Sequence, residues 1–391
     1  MKLLPVLSLT ALAVSQVHAV DFEPAPYRLT EGFAIIPQVE TTFRYDDNIY
    51  NDESDKTSSN ILLLIPSFKF GTDDGINQYG GAYELTSGTY SHGSADNFVD
   101  HSLTLLAHSE YTSKHRTDFN LGFANTHEDR GSDFSETDSS TFPEPLKYNE
   151  LTTRGYYQFG GLNSIMRIGG GISYEDKTYQ NFTDLSKFGD TTKLTFFADA
   201  DYQFGSVTYL TFDLSTADKK YDYFSSKNNQ DTVALVGVRW EGLAKTTGTM
   251  KVGYQHKTYD DSAKDNFSGV YVDLGLMWEP VQYSTITARV IRDAADSDTV
   301  GDYIETLTSS LSWDHHWTES FYSEAQYIYI NEDYVGASRQ DDTNNAAFYL
   351  NYDVLRWLKV KAGYEFTDKS SNADNISYDK NAVSLGVVVS L

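Results

Sequence analysis

The sequence predicts an all-β fold, a transmembrane antiparallel β-barrel of about eighteen strands. Three observations carry that expectation. The chain ends on a strand in which Val383, Leu385, Val387, Val389 and Leu391 alternate with Ser384, Gly386, Val388 and Ser390. One face is apolar and the other mostly small or polar, as in the closing strand of a barrel that inserts into a bilayer. The connections along the chain alternate between long polar loops and short turns. Beyond the N-terminal leader, no run reaches the roughly twenty apolar residues that a membrane helix needs.

The leader is residues 1–19. Lys2 supplies a positive end, Leu3 to Val14 an apolar core, and Val17, His18 and Ala19 a small-residue cleavage site. A secretory signal cleaved after Ala19 is therefore expected. Residues 20–34 read as a periplasmic lead and 35–391 as the barrel.

Period-2 patterning places strands near 35–45, 59–70, 78–90, 99–111, 116–127, 148–159, 164–179, 190–204, 206–217, 230–241, 247–259, 267–279, 283–293, 303–313, 319–331, 343–353, 358–368 and 378–391. Connections after odd-numbered strands are long and polar, such as 46–58, 128–147 and 180–189. Those after even strands are mostly short, such as 112–115 and 160–163, although 71–77 is longer than its class. An even count puts both chain ends on the side of the short turns, and long outside loops with short inside turns are the outer-membrane pattern. A closing residue of Leu rather than an aromatic keeps the apolar face.

Aromatics mark the expected membrane edges. Phe68, Tyr111, Phe159, Tyr202, Trp240, Trp278, Trp313 and Tyr352 fall at the lower ends of even strands. Tyr45, Tyr90, Tyr174, Tyr259, Tyr329 and Phe366 form the expected upper ring. Tyr (29) exceeds Phe (22), which suits girdles and a polar lumen. Cysteine is absent and the net charge is −26. The fold must therefore close without disulfides, and nonspecific nucleic-acid binding is excluded.

Alternation assigns faces. A charge facing lipid at mid-bilayer costs roughly 2–4 kcal/mol, so Arg154, Arg167, Asp199, Asp201, Arg239, Lys251, Asp273, Lys359 and Lys361 are assigned to the lumen. Tyr156, Tyr209, Tyr271, Tyr322 and Tyr349 are assigned with them as pore-lining candidates. A tyrosine offers a ring face and a hydroxyl, both suited to sugars, and the same residues also serve as plain wall packing. A polar interior at eighteen strands predicts a wet channel.

Enzymatic chemistry is not expected. Asp100-His101 and Asp314-His315-His316 fall at opposite rims, so no nucleophile, base and acid converge. The nine histidines show no metal-ligand spacing, and no metal or cofactor is expected. Acidic loops such as Asp46-Asp47-Asn48 and Asn331-Glu332-Asp333 leave calcium binding open beside a plain solvated role in a lipopolysaccharide layer.

The stretch Thr41-Thr42-Phe43-Arg44-Tyr45-Asp46-Asp47-Asn48-Ile49-Tyr50 resembles the opening strand and loop of the putative β-barrel porin 2 family, found in exopolysaccharide and capsule gene clusters. The architecture is similar over nearly the whole mature chain. That resemblance implies an outer-membrane barrel for a secreted polysaccharide, placed in lipid and lipopolysaccharide by the barrel-assembly machinery. It also implies a periplasmic polysaccharide-export lipoprotein as partner. It implies no catalytic residues. Asp46, Asp47 and Asn48 read as a turn whose side chains cap their own backbone. A general or solute-specific diffusion porin and a surface receptor or adhesin barrel stay open as alternatives. The acidic third loop, with Glu128, Asp129, Asp133, Glu136, Asp138 and Glu144, argues for a neutral or amino-containing glycan over an anionic one.

Overall fold

A computed structural model describes residues 24–30, 32–136, 139–297 and 299–390. The leader and Leu391 lie outside the described residues. A short strand β1 (Tyr27–Thr30) precedes eighteen long ones. These are β2 (Phe33–Asp46), β3 (Ser59–Asp73), β4 (Gln78–Tyr90), β5 (Phe98–Thr112), β6 (His115–Glu128), β7 (Leu146–Phe159), β8 (Met166–Tyr179), β9 (Thr191–Gln203) and β10 (Thr208–Tyr221). There follow β11 (Asn229–Leu243), β12 (Thr246–Tyr259), β13 (Phe267–Val281), β14 (Ser284–Asp296), β15 (Tyr303–His316), β16 (Phe321–Val335), β17 (Arg339–Leu355), β18 (Leu358–Ser371) and β19 (Tyr378–Ser390). Each pairs antiparallel with its chain neighbour, and β19 pairs with β2 to close the barrel.

The expected strands are all present. They run longer than expected at many ends because pairing continues past the apolar stretch into polar residues. The connection predicted at 71–77 shrinks to 74–77 for that reason. There Asp74 Oδ1 accepts the Ile76 and Asn77 N–H groups in a tight turn. Closure removes free edges, so every strand finds its backbone partners without a second sheet.

The outer surface carries the apolar face. Phe43, Leu62, Phe196, Phe212, Val252, Leu311 and Leu385 are each about half exposed, as a lipid-facing side chain must be. Lower-ring aromatics such as Tyr111, Phe159, Tyr202, Trp278 and Tyr352 lie on this surface. Two members of the expected upper ring do not. Tyr90 pairs with Ile61, which is buried, and Tyr259 pairs with Asn229, also buried. Both tyrosines point inward, because the parity of their strands puts Tyr83 and Tyr254 outside.

The lead is not a plain tail. The chain turns at Gly32, whose φ of +94° suits glycine, and β1 pairs with the start of β2 through Tyr27 opposite Ile35. On the same edge of β2, β19 ends with Ser390 opposite Gln38. The two ends of the chain thus share one edge, and the Ser390 hydroxyl donates to the Pro37 carbonyl at 2.6 Å. The barrel proper begins at Phe33 rather than residue 35.

The lumen and its mouth as candidate functional site

Side chains that bridge strands two apart define the concave face. From β2, Arg44 reaches past β19 to Glu365 on β18 at 2.9 Å, and Lys361 on β18 reaches back to Glu40 at 3.2 Å. Arg239 on β11 spans β10 to meet Asp201 on β9 at 2.7 Å, and Arg167 on β8 reaches the same carboxylate at 3.1 Å. Lys251 on β12 reaches Asp213 on β10 at 2.8 Å. Such spans fit only the inside of a curved sheet.

The assigned pore-lining residues sit on this face, and most are tied into networks. The Arg167 and Arg239 guanidinium groups lie 5.0 and 4.4 Å from the Tyr209 ring centroid. The Tyr156 hydroxyl donates to Asp199 at 3.0 Å, and its ring stacks on Phe197. Arg154 covers both rings. Arg289 holds Asp273 with two hydrogen bonds. Lys359 donates to the Tyr322 hydroxyl at 2.6 Å, and the Tyr349 hydroxyl donates to Glu365 at 2.6 Å. The five tyrosines do not form one file. They lie on β7, β10, β13, β16 and β17, with Tyr209 and Tyr322 near the short-turn rim and Tyr271 in the upper half. The wall therefore alternates charge pairs and ring faces around its circumference.

The long-loop rim departs most from expectation. Much of what is described of loop 129–145 packs against the barrel. Phe142 and Leu146 are buried with Tyr179, and Phe134, Tyr148 and Phe182 pack against them. Glu128 is bonded by Lys177 and Tyr179. Arg130 pairs with Asp96 of loop 91–97 at 2.6 Å and donates to the Tyr50 hydroxyl of loop 47–58. Burial, with the Asp96 carboxylate beside it, pushes the Tyr50 hydroxyl up to about 12, so it stays protonated and donates to Asp96 at 2.9 Å. At the tip, Glu136 accepts from Arg339 on β17 at 2.9 Å and from Lys369 on β18 at 2.5 Å. Both cations also hold Asp341, which is fully buried. From β6 to β17 the wall runs through β5, β4, β3, β2, β19 and β18, so this loop crosses a large sector of the mouth. Its acids were expected to repel anions, but Glu128 and Glu136 are spent on lysine and arginine of the wall.

A second inward element faces it. Pairing of β13 with β14 stops at Val272 opposite Arg292. Above that point β14 leans inward, and the Gln255 side chain of β12 replaces the lost partner. Gln255 accepts the Ala294 N–H at 2.8 Å and donates to the Ala294 carbonyl at 3.0 Å. Asp296 is anchored by Lys219 on β10 and Lys257 on β12 at 2.9 and 2.7 Å. Phe267, Ala294 and Tyr303 form a small buried core beneath.

The Asp46-Asp47-Asn48 turn does more than cap itself. Asp46 accepts the Asn48 N–H at 3.0 Å, as a self-capping turn does. Asp47 also accepts the N–H and the side-chain amide of Asn381 on β19, and Lys380 reaches Asp46 at 3.2 Å. The motif clasps the first strand to the last. No group of three or more His, Asp or Glu side chains that could hold a metal occurs among the described residues.

A family model described as Putative beta-barrel porin 2 matches residues 22–391. The chain belongs to this family. A comparison with curated proteins gives no match. Among solved structures the chain is similar to OpdO of Pseudomonas aeruginosa, with 14% identity over 93% of this chain and 98% of that one and a TM-score of 0.51. It is similar to Pseudomonas aeruginosa OccK2, solved in complex with glucuronate, with 11% identity over 92% and 99% of the two chains and a TM-score of 0.51. It also resembles the FrpB iron transporter of Neisseria meningitidis, with 10% identity, 88% coverage of this chain and a TM-score of 0.50. The chain spans 62% of the length of FrpB. These likenesses show that the chain has the fold of outer-membrane porins.

Proposed function

We propose that this porin carries a secreted polysaccharide outward through its lumen. The observation that carries the reading is the Tyr45-Asp46-Asp47-Asn48-Ile49 clasp, in a chain whose family model matches residues 22–391. The family resemblance links such barrels to exopolysaccharide and capsule clusters. The lumen suits a glycan, since ring faces and paired charges alternate and leave a wall able to hydrogen-bond hydroxyls. A periplasmic export lipoprotein would dock at the short-turn rim. Loops 47–58, 91–97 and 129–145 bond to one another, which leaves less free loop for the receptor or adhesin alternative.

Deleting the gene tests the reading. Extracellular polysaccharide or biofilm matrix should fall, with growth on small sugars unchanged. Intact matrix with lost uptake of one solute would replace it by an inward-diffusion porin, the second reading, which the same polar lumen supports.

A further inference from the structure

Where β14 parts from β13, the wall opens into a hollow of about 290 Å³ in the upper lumen, between β9 and β14. Its polar groups are unevenly used. The lysines are engaged: Lys219 and Lys257 hold Asp296, and Lys193 faces Glu175 at 3.5 Å. Two carboxylates are less fully used, although Lys257 also lies 3.7 Å from Asp231. Asp231 receives Gln255 on one oxygen at 2.9 Å, while its other oxygen is buried and unbonded. Asp293 lines the same hollow and receives no hydrogen bond from the described residues. Tyr271 adds a ring and a phenol to the same wall. The two carboxylates therefore keep acceptor positions that no hydrogen bond from the described residues fills. A ligand that supplies hydroxyl or ammonium protons satisfies both carboxylates, and charge-assisted bonds to a carboxylate are among the strong ones. A ligand carboxylate brought beside Asp231 and Asp293 meets like charge.

We propose that this hollow is a subsite for one hexose unit of the transported glycan, one that presents hydrogen-bond donors and favours a free amino sugar over a uronic acid. The ring of such a unit lies against Tyr271 while Asp231 and Asp293 accept from its hydroxyl or ammonium groups. This rests on the saccharide reading above and names the sugar class that it serves. The site exists only because Gln255 props Ala294 away from β13. The same substitution of a side chain for a strand partner that narrows the mouth also makes the hollow.

The test uses the purified full-length mature barrel in planar bilayers. Hexamers of glucosamine, cellobiose-type glucan and galacturonic acid are added in turn, and the residence time of current block is read. The glucosamine hexamer should block longest and the galacturonate hexamer least. Asp231→Asn and Asp293→Asn should each shorten glucosamine block by roughly tenfold and narrow its margin over the neutral hexamer. Tyr271→Ala should shorten block by both. Calorimetric titration of the same hexamers into detergent-solubilised barrel reads binding without relying on conductance, and heat-modifiable migration reports folding of each variant. Longest block by galacturonate, or a glucosamine preference untouched by both Asp→Asn changes, overturns the proposal. A deletion strain with normal matrix would sink the export reading alone, because these sugar assays do not depend on secretion.

Discussion

Asn48, in the first long loop, donates its side-chain amide to the backbone carbonyl of Asp379 in the last strand, at 3.1 Å and across 331 positions of sequence. The same side chain donates to the Asp52 carbonyl and accepts the Asp52 N–H. It is completely buried. At its long-loop end the seam of the barrel is thus held by this amide beside the Asp47–Asn381 and Asp46–Lys380 contacts.

Asn48→Ala should weaken that seam. A buried donor and acceptor set left unmade costs about 1–3 kcal/mol. The variant should lose its heat-modifiable band at a lower temperature than the wild type, on unboiled gels run after stepped heating. An unchanged transition would mean the seam is set by strand pairing and the Asp46 and Asp47 contacts without the Asn48 amide.

Glu136 links the third loop to Arg339 and Lys369 across the mouth. Glu136→Gln should loosen the loop and raise single-channel conductance, while the barrel itself stays folded. Gly131→Ala should act in the same direction by a different route. Gly131 has φ +78°, and a Cβ there would lie 1.6 Å from the Tyr50 carbonyl oxygen, so the loop must lift away from its neighbour. Conductance equal to wild type in both variants would show that the loop does not narrow the conducting path.

Facing on the closing strand can be checked by a pair of neighbours. Leu385 is 58% exposed on the outer surface, and Leu385→Arg should cost roughly 2–4 kcal/mol near mid-bilayer and deplete folded barrel from the outer membrane. Ser384 faces inward opposite Arg44, so Ser384→Asp should assemble normally. Equal losses from both would contradict the inward and outward assignment.

The lumen should select cations. The net charge of −26 and the acids left over after pairing set a negative potential along the path. Reversal potentials under a salt gradient should show cation preference that weakens as ionic strength rises. Anion preference would place the dominant field elsewhere.

The wall was legible because a barrel strand keeps strict period 2 against lipid. Phe196, Val270 and Tyr364 needed only their neighbours in sequence to be placed. Tyr259 was misplaced because its position near a strand end weighed more than the parity set by Met250, Val252 and Tyr254. The mouth was not legible in the same way. Loop 129–145 reads as acidic and solvated, yet Phe134 and Phe142 stand in it. Two phenylalanines in a charged loop were the signal that it packs against something. The inward lean of β14 had no signal at all, since Gln255 is an ordinary inward polar residue until it meets Ala294. Which glutamate finds which distant arginine depends on curvature, and curvature is not written in local periodicity.

The division of one edge of β2 between β19 and β1 bears on how the barrel forms. Contacts between neighbouring strands join residues close in sequence, whereas the seam joins residues more than three hundred positions apart. Ends that far apart meet late, because the chain between them must first be ordered. Until then β2 and β19 are open edges, free to recruit another chain. The β1–β2 hairpin is local, folds through the single turn at Gly32, and covers part of that edge from the start. Residues 33–35 of that edge thus have a partner that needs no distant strand, and only the stretch from Gln38 to Asp46 waits for the last one.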